Sequence, residues 1–289
     1  MLNPVSVSKA SLEHWHRQTI PDIFPKTYLT VAEEHGADSE RILSEVGLSR
    51  DRLNNAQQPL TMLELEQLVA AILLEVPVQG LGLAVGRHLP PTAFGNVGYA
   101  LLCSPTLADA IAICERFWPL IAKGLALTVY DEGEYRVLEV KPFNVVPEIF
   151  HQLIVESTLS SFHRAFRILI GHVPDAGQIW FSSPAPTYAD KISEVLGEVS
   201  YQMAADQYRV PRHLLTLPVS MSNPSGYQLA LAQCENEEAL AGLSDVTTSQ
   251  RVQAQLGVSA NGYPSIEVLA DKLHMTARTL RRHLAHEGT

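Results

Sequence analysis

Three cysteines in 289 residues, Cys103, Cys114 and Cys234, are too few and odd in number for a disulfide framework. Their spacing is not that of a zinc site, and a reduced, cytoplasmic setting fits them best. Long apolar runs are missing. Residues 68–74 and 120–127, the latter broken by Lys123, fall well short of the roughly 18 residues a membrane span needs. The opening MLNPVSVSKASLEHWHR lacks the apolar centre of a secretory signal. Positive charge is scarce: 21 Lys and Arg stand against 31 Asp and Glu, which excludes a generally adhesive nucleic-acid binder. There is no G-x-S-x-G elbow, and Ser160 and Ser161 fall in mid-helix with no turn beside them. His151, Glu156 and His163 share a helix without the i, i+4 spacing of a zinc pair. No internal period marks a repeat array. These absences leave no case for a metal, a cofactor or an enzyme.

What is present describes an ordinary soluble chain, 46% hydrophobic and 18% charged, long enough for about two domains. Residues 1–22 are polar and irregular and read as a mobile arm. Helices then succeed one another: 27–34 closed by Gly36, a short helix from Asp38 with Ile42, Leu43 and Val46 inward, and a turn at 49–53. Thr61 starts the strongest of them, LELEQLVAAILLEV. Gly80, Gly82 and Gly86 do not have the dinucleotide-binding spacing and predict tight helix packing instead. After a glycine-relieved aromatic stretch at 94–99 comes a helix from Thr106 to Phe117, capped by Thr106 and Asp109. Residues 126–130 and 135–140 read as a hairpin across Asp131-Glu132-Gly133-Glu134. A long helix spans 148–170, succeeded by a strand at 179–181, a helix at 188–196 and a strand at 208–211. Helices first, then strands alternating with helices, predict a mixed α/β (α+β) domain. Residues 223–243 form a further helix, which either serves as a dimer seam or packs on its own domain. Residues 242–248 read as a linker, and 249–256 as a short helix whose Val252 and Leu256 pack beneath the final two helices of the chain.

Residues 265–289 read as those two short helices, joined by a tight turn. Pro264 blocks extension backwards and Ser265 caps the first helix. Ile266, Leu269 and Leu273 share one face beside Ala270, whose small side chain suits a close crossing. Thr276 caps the second helix, where Leu280 and Leu284 form a buried stripe. Arg278, Arg281 and Arg282 occupy the other side. The segment holds four Lys or Arg against three Asp or Glu, a net +1, so the remainder of the chain carries −11. Such a pair is either a helix-turn-helix reading a major groove or a helical hairpin with a solvated basic face.

The run LHMTARTLRRHLAHEGT resembles the first helix-turn-helix of the AraC/XylS family of transcription regulators. Upstream, GNVGYALLCSPT at 95–106, the region 116–120 and the Pro184-x-Pro186 turn resemble the effector domain of its ornithine- and arginine-regulator-like branch. The likeness extends from about residue 23 almost to the end. It implies an arabinose-binding-type effector domain at 23–243 and a small all-α DNA-binding piece at 244–289. The family pattern carries a second helix-turn-helix, for which no residues remain after Thr289. By this resemblance Thr276, Arg278, Thr279, Arg281 and Arg282 would contact double-stranded operator DNA. The effector domain would sense a small molecule such as an amino acid, sugar, fatty acid or aromatic acid.

Phe94, Tyr99, Trp118, Phe162 and Trp180, with Phe117, are candidates to line an effector pocket, or else are core residues. Arg116 and Arg164, with Arg167, are candidates for a carboxylate clamp. The expected function is a cytoplasmic, homodimeric, effector-responsive transcription regulator, with RNA polymerase a candidate partner and no membrane association. The alternative is a ligand-binding and dimerisation module that does not hold DNA stably, since few cations are available for ion release.

Overall fold

A computed structural model describes residues 16–17, 19–55, 58–76, 79–122, 124–142, 148–171, 173, 177–240, 252, 264–272 and 277–286. Apolar residues at helical spacing in the first part of the chain give α1 (Ile23–Glu34), α2 (Ser39–Glu45), α3 (Arg50–Asn54), α4 (Met62–Glu75) and α5 (Leu81–His88). Caps define their limits. Asp38 accepts from the Arg41 amide, Ser49 from that of Arg52, and Thr61 with Glu64 closes a full capping box. One cluster, including Tyr28, Leu29, Ile42, Leu68 and Ile72, fills the space between these helices. Ile20 joins it, its amide donating to the Leu60 carbonyl at 2.9 Å, while Thr19 bridges Thr61. The expected arm is therefore tied down from Thr19 onward; the residues before 16 lie outside the described set.

A 3₁₀ turn (Pro91–Phe94) leads into α6 (Gly95–Cys103), α7 (Leu107–Arg116) and α8 (Trp118–Ile121). The sheet then begins with β1 (Leu125–Glu132) and β2 (Tyr135–Pro142), the expected hairpin. After the long helix α9 (Glu148–Ile170) come β3 (Gln178–Trp180), α10 (Ala189–Leu196), β4 (Glu198–Ser200) and β5 (Asp206–Pro211). The strand order is β1-β2-β5-β3-β4, antiparallel throughout except for the parallel β3–β4 pair. The side chains of Leu138, Val140, Tyr208, Val210 and Ile179 join the core cluster to which α9 adds Leu159, Phe166 and Leu169. The mixed helix-and-sheet reading of this part of the chain holds.

On the same strands the alternate side chains assemble a polar network. Arg209, 4% exposed, lies 4.0 Å from the Trp180 ring centroid and 5.1 Å from that of Tyr135. It donates to Gln207 and pairs with Glu132, both at 2.7 Å. Gln207 in turn donates to Tyr130 and Glu139.

The two clusters meet where α9 crosses α5, and here the glycines act. A Cβ on Gly82 would stand 2.7 Å from the Leu153 carbonyl oxygen, and one on Gly86 closer still to that of Ser157. Only hydrogen at these positions lets the two backbones approach. The contact is pinned by Ser160 and Ser161, whose hydroxyls donate to the carbonyls of Leu83 and Leu89 at 3.0 and 3.1 Å. This is the tight packing expected of the glycine run.

Beyond the sheet, α11 (Pro224–Leu240) lies along α6. Asn96 donates to Glu237 at 2.6 Å, and Gly226 sits against the Cys103 sulfur. The last elements are α12 (Ile266–Lys272) and α13 (Ala277–His286), around a small core of Leu269, Ala270 and Leu280. The expected linker, and the helix at 249–256 apart from Val252, lie outside the described residues.

Candidate effector cavity and basic helix

An apolar cavity lies between α7, α8, α9 and the sheet, with about 850 Å³ of atom-free space, part of it open to solvent. Helical phase builds its walls. Leu107, Ala110, Ile111 and Cys114 follow the i, i+3, i+4, i+7 pattern, so α7 turns one face inward. The start of that helix is set by the expected cap: the Thr106 amide donates to Asp109 at 3.0 Å and the Asp109 amide to Thr106 at 3.3 Å. The α9 wall is a stripe containing Ser157, Ser161, Phe162 and Phe166, and Tyr208 closes the end at the sheet. Trp118 forms a rigid side: its indole N–H donates to the Leu125 carbonyl at 2.5 Å, and its ring meets that of Phe162 edge-on at 5.6 Å.

Phe94, Trp118 and Phe162 are thus brought together at the cavity; the other six residues expected there are elsewhere, Phe117 in the core and Arg167 exposed on α9 among them. Tyr99 is 54% exposed on the surface of α6. Trp180 stacks on Arg209. Arg116 is exposed and pairs with Glu235 of α11 at 2.9 Å. Arg164 is half-buried on α9 but lines no part of the cavity. No clamp forms, because the inward face of α7 passes through Cys114 and leaves Arg116 pointing away. Phe24, Phe166 and Tyr208 do line the cavity and escaped the sequence reading. The apolar periodicity of α7 is the signal that would have found Ala110, Ile111 and Cys114, whereas Phe24 and Tyr208 arrive only by tertiary packing.

Among the described residues, the cavity's one thiol is Cys114. Burial pushes the Cys114 thiol up to about 12, so it stays a neutral, inert side chain. No group of three His, Cys, Asp or Glu suited to a metal ion occurs among the described residues. A second, smaller space of about 640 Å³ adjoins it, sharing Phe24, Ile121, Ala122, Ser157 and Thr158.

The other candidate site is α13. Ser265 accepts from the Val268 amide at 3.4 Å and so caps α12, as expected. Leu280 is fully buried and Leu284 packs beside it. Arg278 and Arg282 are exposed on the other side of the helix, and exposed Arg281 reaches Glu267 of α12 at 3.3 Å. Thr279 is half-buried; Thr276 lies outside the described residues.

Residues 36–219 match the arabinose-binding domain found at the N-terminus of AraC transcription regulators. Over 278 residues, 94% of this chain and 80% of the relative, the chain is 26% identical to the Ornithine utilization regulator of Pseudomonas aeruginosa. It is also 26% identical over 214 residues to the HTH-type transcriptional regulator VqsM of the same species, covering 72% of this chain and 65% of that one. The fold is similar to the crystal structure of the transcriptional regulator CdpR from Pseudomonas aeruginosa. That likeness has a TM-score of 0.53 at 22% identity, covering 87% of this chain and 78% of that one. These relatives are regulators and not enzymes. No described helix is long and apolar enough to cross a membrane. The match covers more than half of the chain, which therefore belongs to the family of AraC transcription regulators with an N-terminal arabinose-binding domain.

Proposed function

We propose that the chain is a cytoplasmic, sequence-specific DNA-binding regulator whose part at 23–243 senses a small molecule and dimerises, and whose part at 244–289 is a helix-turn-helix. The observation that carries the DNA reading is α13: three exposed guanidinium groups on a helix whose other side is closed by Leu280 and Leu284. A major groove admits such a helix, and arginines serve both guanine edges and phosphates. Thr279 stands in the first turn of that helix, and by the resemblance Thr276 is a further candidate contact. The observation that carries the sensing reading is the cavity's concave, apolar wall, with aromatic side chains from α8, α9 and the sheet converging on it. RNA polymerase is a further candidate partner.

A second reading, a ligand-binding and dimerising module without stable DNA affinity, is favoured by the Arg281–Glu267 pair, which occupies one of the three cations. A salt series on a DNA site selected from a random library separates the two. Three phosphate contacts per protomer give a slope of log affinity against log salt of about −2.7, and Arg282→Ala reduces it by about one. A slope near zero, unaltered by the substitution, supports the second reading.

A further inference from the structure

We infer that the cavity takes a neutral, elongated, apolar molecule, and that carboxylates and amino-acid zwitterions are excluded from it. The inference rests on the sensing role proposed above and gives it a ligand class. Among the described residues, neither the main cavity nor the space adjoining it is lined by a Lys, Arg, His, Asp or Glu side chain. A carboxylate or an ammonium group placed there would lose its hydration without gaining a counter-charge.

Four of the polar groups in the walls have already spent their protons. The Ser157 and Thr158 hydroxyls both donate to the Ile154 carbonyl, at 2.9 and 2.8 Å. The Ser161 hydroxyl donates to Leu89 and the Trp118 indole to Leu125. Ser157 also shares a hydrogen bond with the Tyr28 hydroxyl, so what remains from Thr158 and Ser161 is acceptor lone pairs. They can receive a ligand hydroxyl and offer nothing to an anion. The cations named as a candidate clamp are elsewhere: Arg116 is paired with Glu235 at the surface, and neither Arg164 nor exposed Arg167 lines the walls. The elongated shape comes from the shared lining. Phe24, Ile121 and Ala122 border both spaces, with Ser157 and Thr158 at the junction, so one chain-like molecule can run from Tyr208 past Phe24 toward Tyr28.

The test is calorimetric titration of the full chain with 1-hexanol, 1-octanol and 1-decanol, beside sodium decanoate and L-leucine. Two cavity-filling variants are run in parallel, Ala165→Trp and the gentler Ala110→Val, each checked for an intact thermal transition. The expected result is an affinity for the alcohols that rises about three- to four-fold with each added methylene, as burial of a CH₂ group requires. Decanoate and leucine give no binding over the same range, and a filling variant that folds weakens 1-decanol at least about tenfold. If decanoate or leucine binds as well as 1-decanol and is lost on filling, the ligand class is wrong and the sensing role stands. If 1-decanol binds equally to the filled variants, the assignment of this cavity is overturned. If none of the five compounds binds, the inference falls together with the sensing role.

Discussion

Glu156 shows how one buried side chain makes stability depend on pH. It is 2% exposed at the α5–α9 crossing, and its carboxylate accepts from Gln152 at 2.8 Å and Tyr188 at 2.9 Å. Burial raises its pKa above the ordinary carboxylate range, and those hydrogen bonds offset only part of the rise. A raised pKa means that the folded chain holds this proton more tightly than the unfolded chain does. Between the unfolded and folded pKa values, stability therefore falls as pH rises, and above the folded value the full cost of a buried charge remains. Glu156→Gln keeps the acceptor for Tyr188 and removes the charge. The expected outcome in thermal melts is a gain over the parent chain at pH 8 that vanishes near pH 4; a variant less stable at pH 8 would show that the charge is compensated. The acid was visible in the sequence, but only as a residue of a long helix. Its burial comes from Gly82 and Gly86 drawing α5 down on it, which no local pattern records.

At the scale of elements, local chemistry was readable wherever one residue type has one structural use. The capping box of Thr106 and Asp109, the hairpin turning at Gly133 and the glycine run packing against α9 were all expected. α6 was not, because Gly95 and Gly98 lower helix propensity over a short stretch. The reason for Gly98 appears only when α6 lies against the Pro91 carbonyl, where a Cβ would collide. The three-residue β4 was missed as well, since its register comes from β3, a partner brought alongside across α10. Aromatic candidates were sorted by helical phase and packing partner. Phe162 points into the cavity, while Tyr99 stays at the surface of α6. The α5–α9 crossing supplies the prediction at this scale. Gly86→Ala gains a few tenths to 1 kcal/mol in helix propensity but forces a methyl group against the Ser157 backbone, costing about 1–3 kcal/mol. Chemical denaturation should show a net loss on the order of 1–2 kcal/mol; a gain would mean that α5 and α9 can separate freely.

For the whole molecule, the family was legible from resemblance, and charge suggested where DNA would be met. A chain carrying −10 places its arginine cluster on one short segment, and residues 36–219 match the arabinose-binding domain. The pocket chemistry was not legible, because it depends on where Arg116 and Arg164 do not reach. If the cavity and the basic helix belong to one regulator, their binding equilibria must be coupled, and reciprocally so. Fluorescence anisotropy of a selected DNA site, titrated with the chain in the presence and absence of a saturating cavity ligand, measures that coupling directly. A shift in DNA affinity of at least about five-fold, in either direction, abolished by Ala165→Trp, is the predicted result. Tight DNA binding identical with and without bound ligand would contradict an effector-responsive regulator.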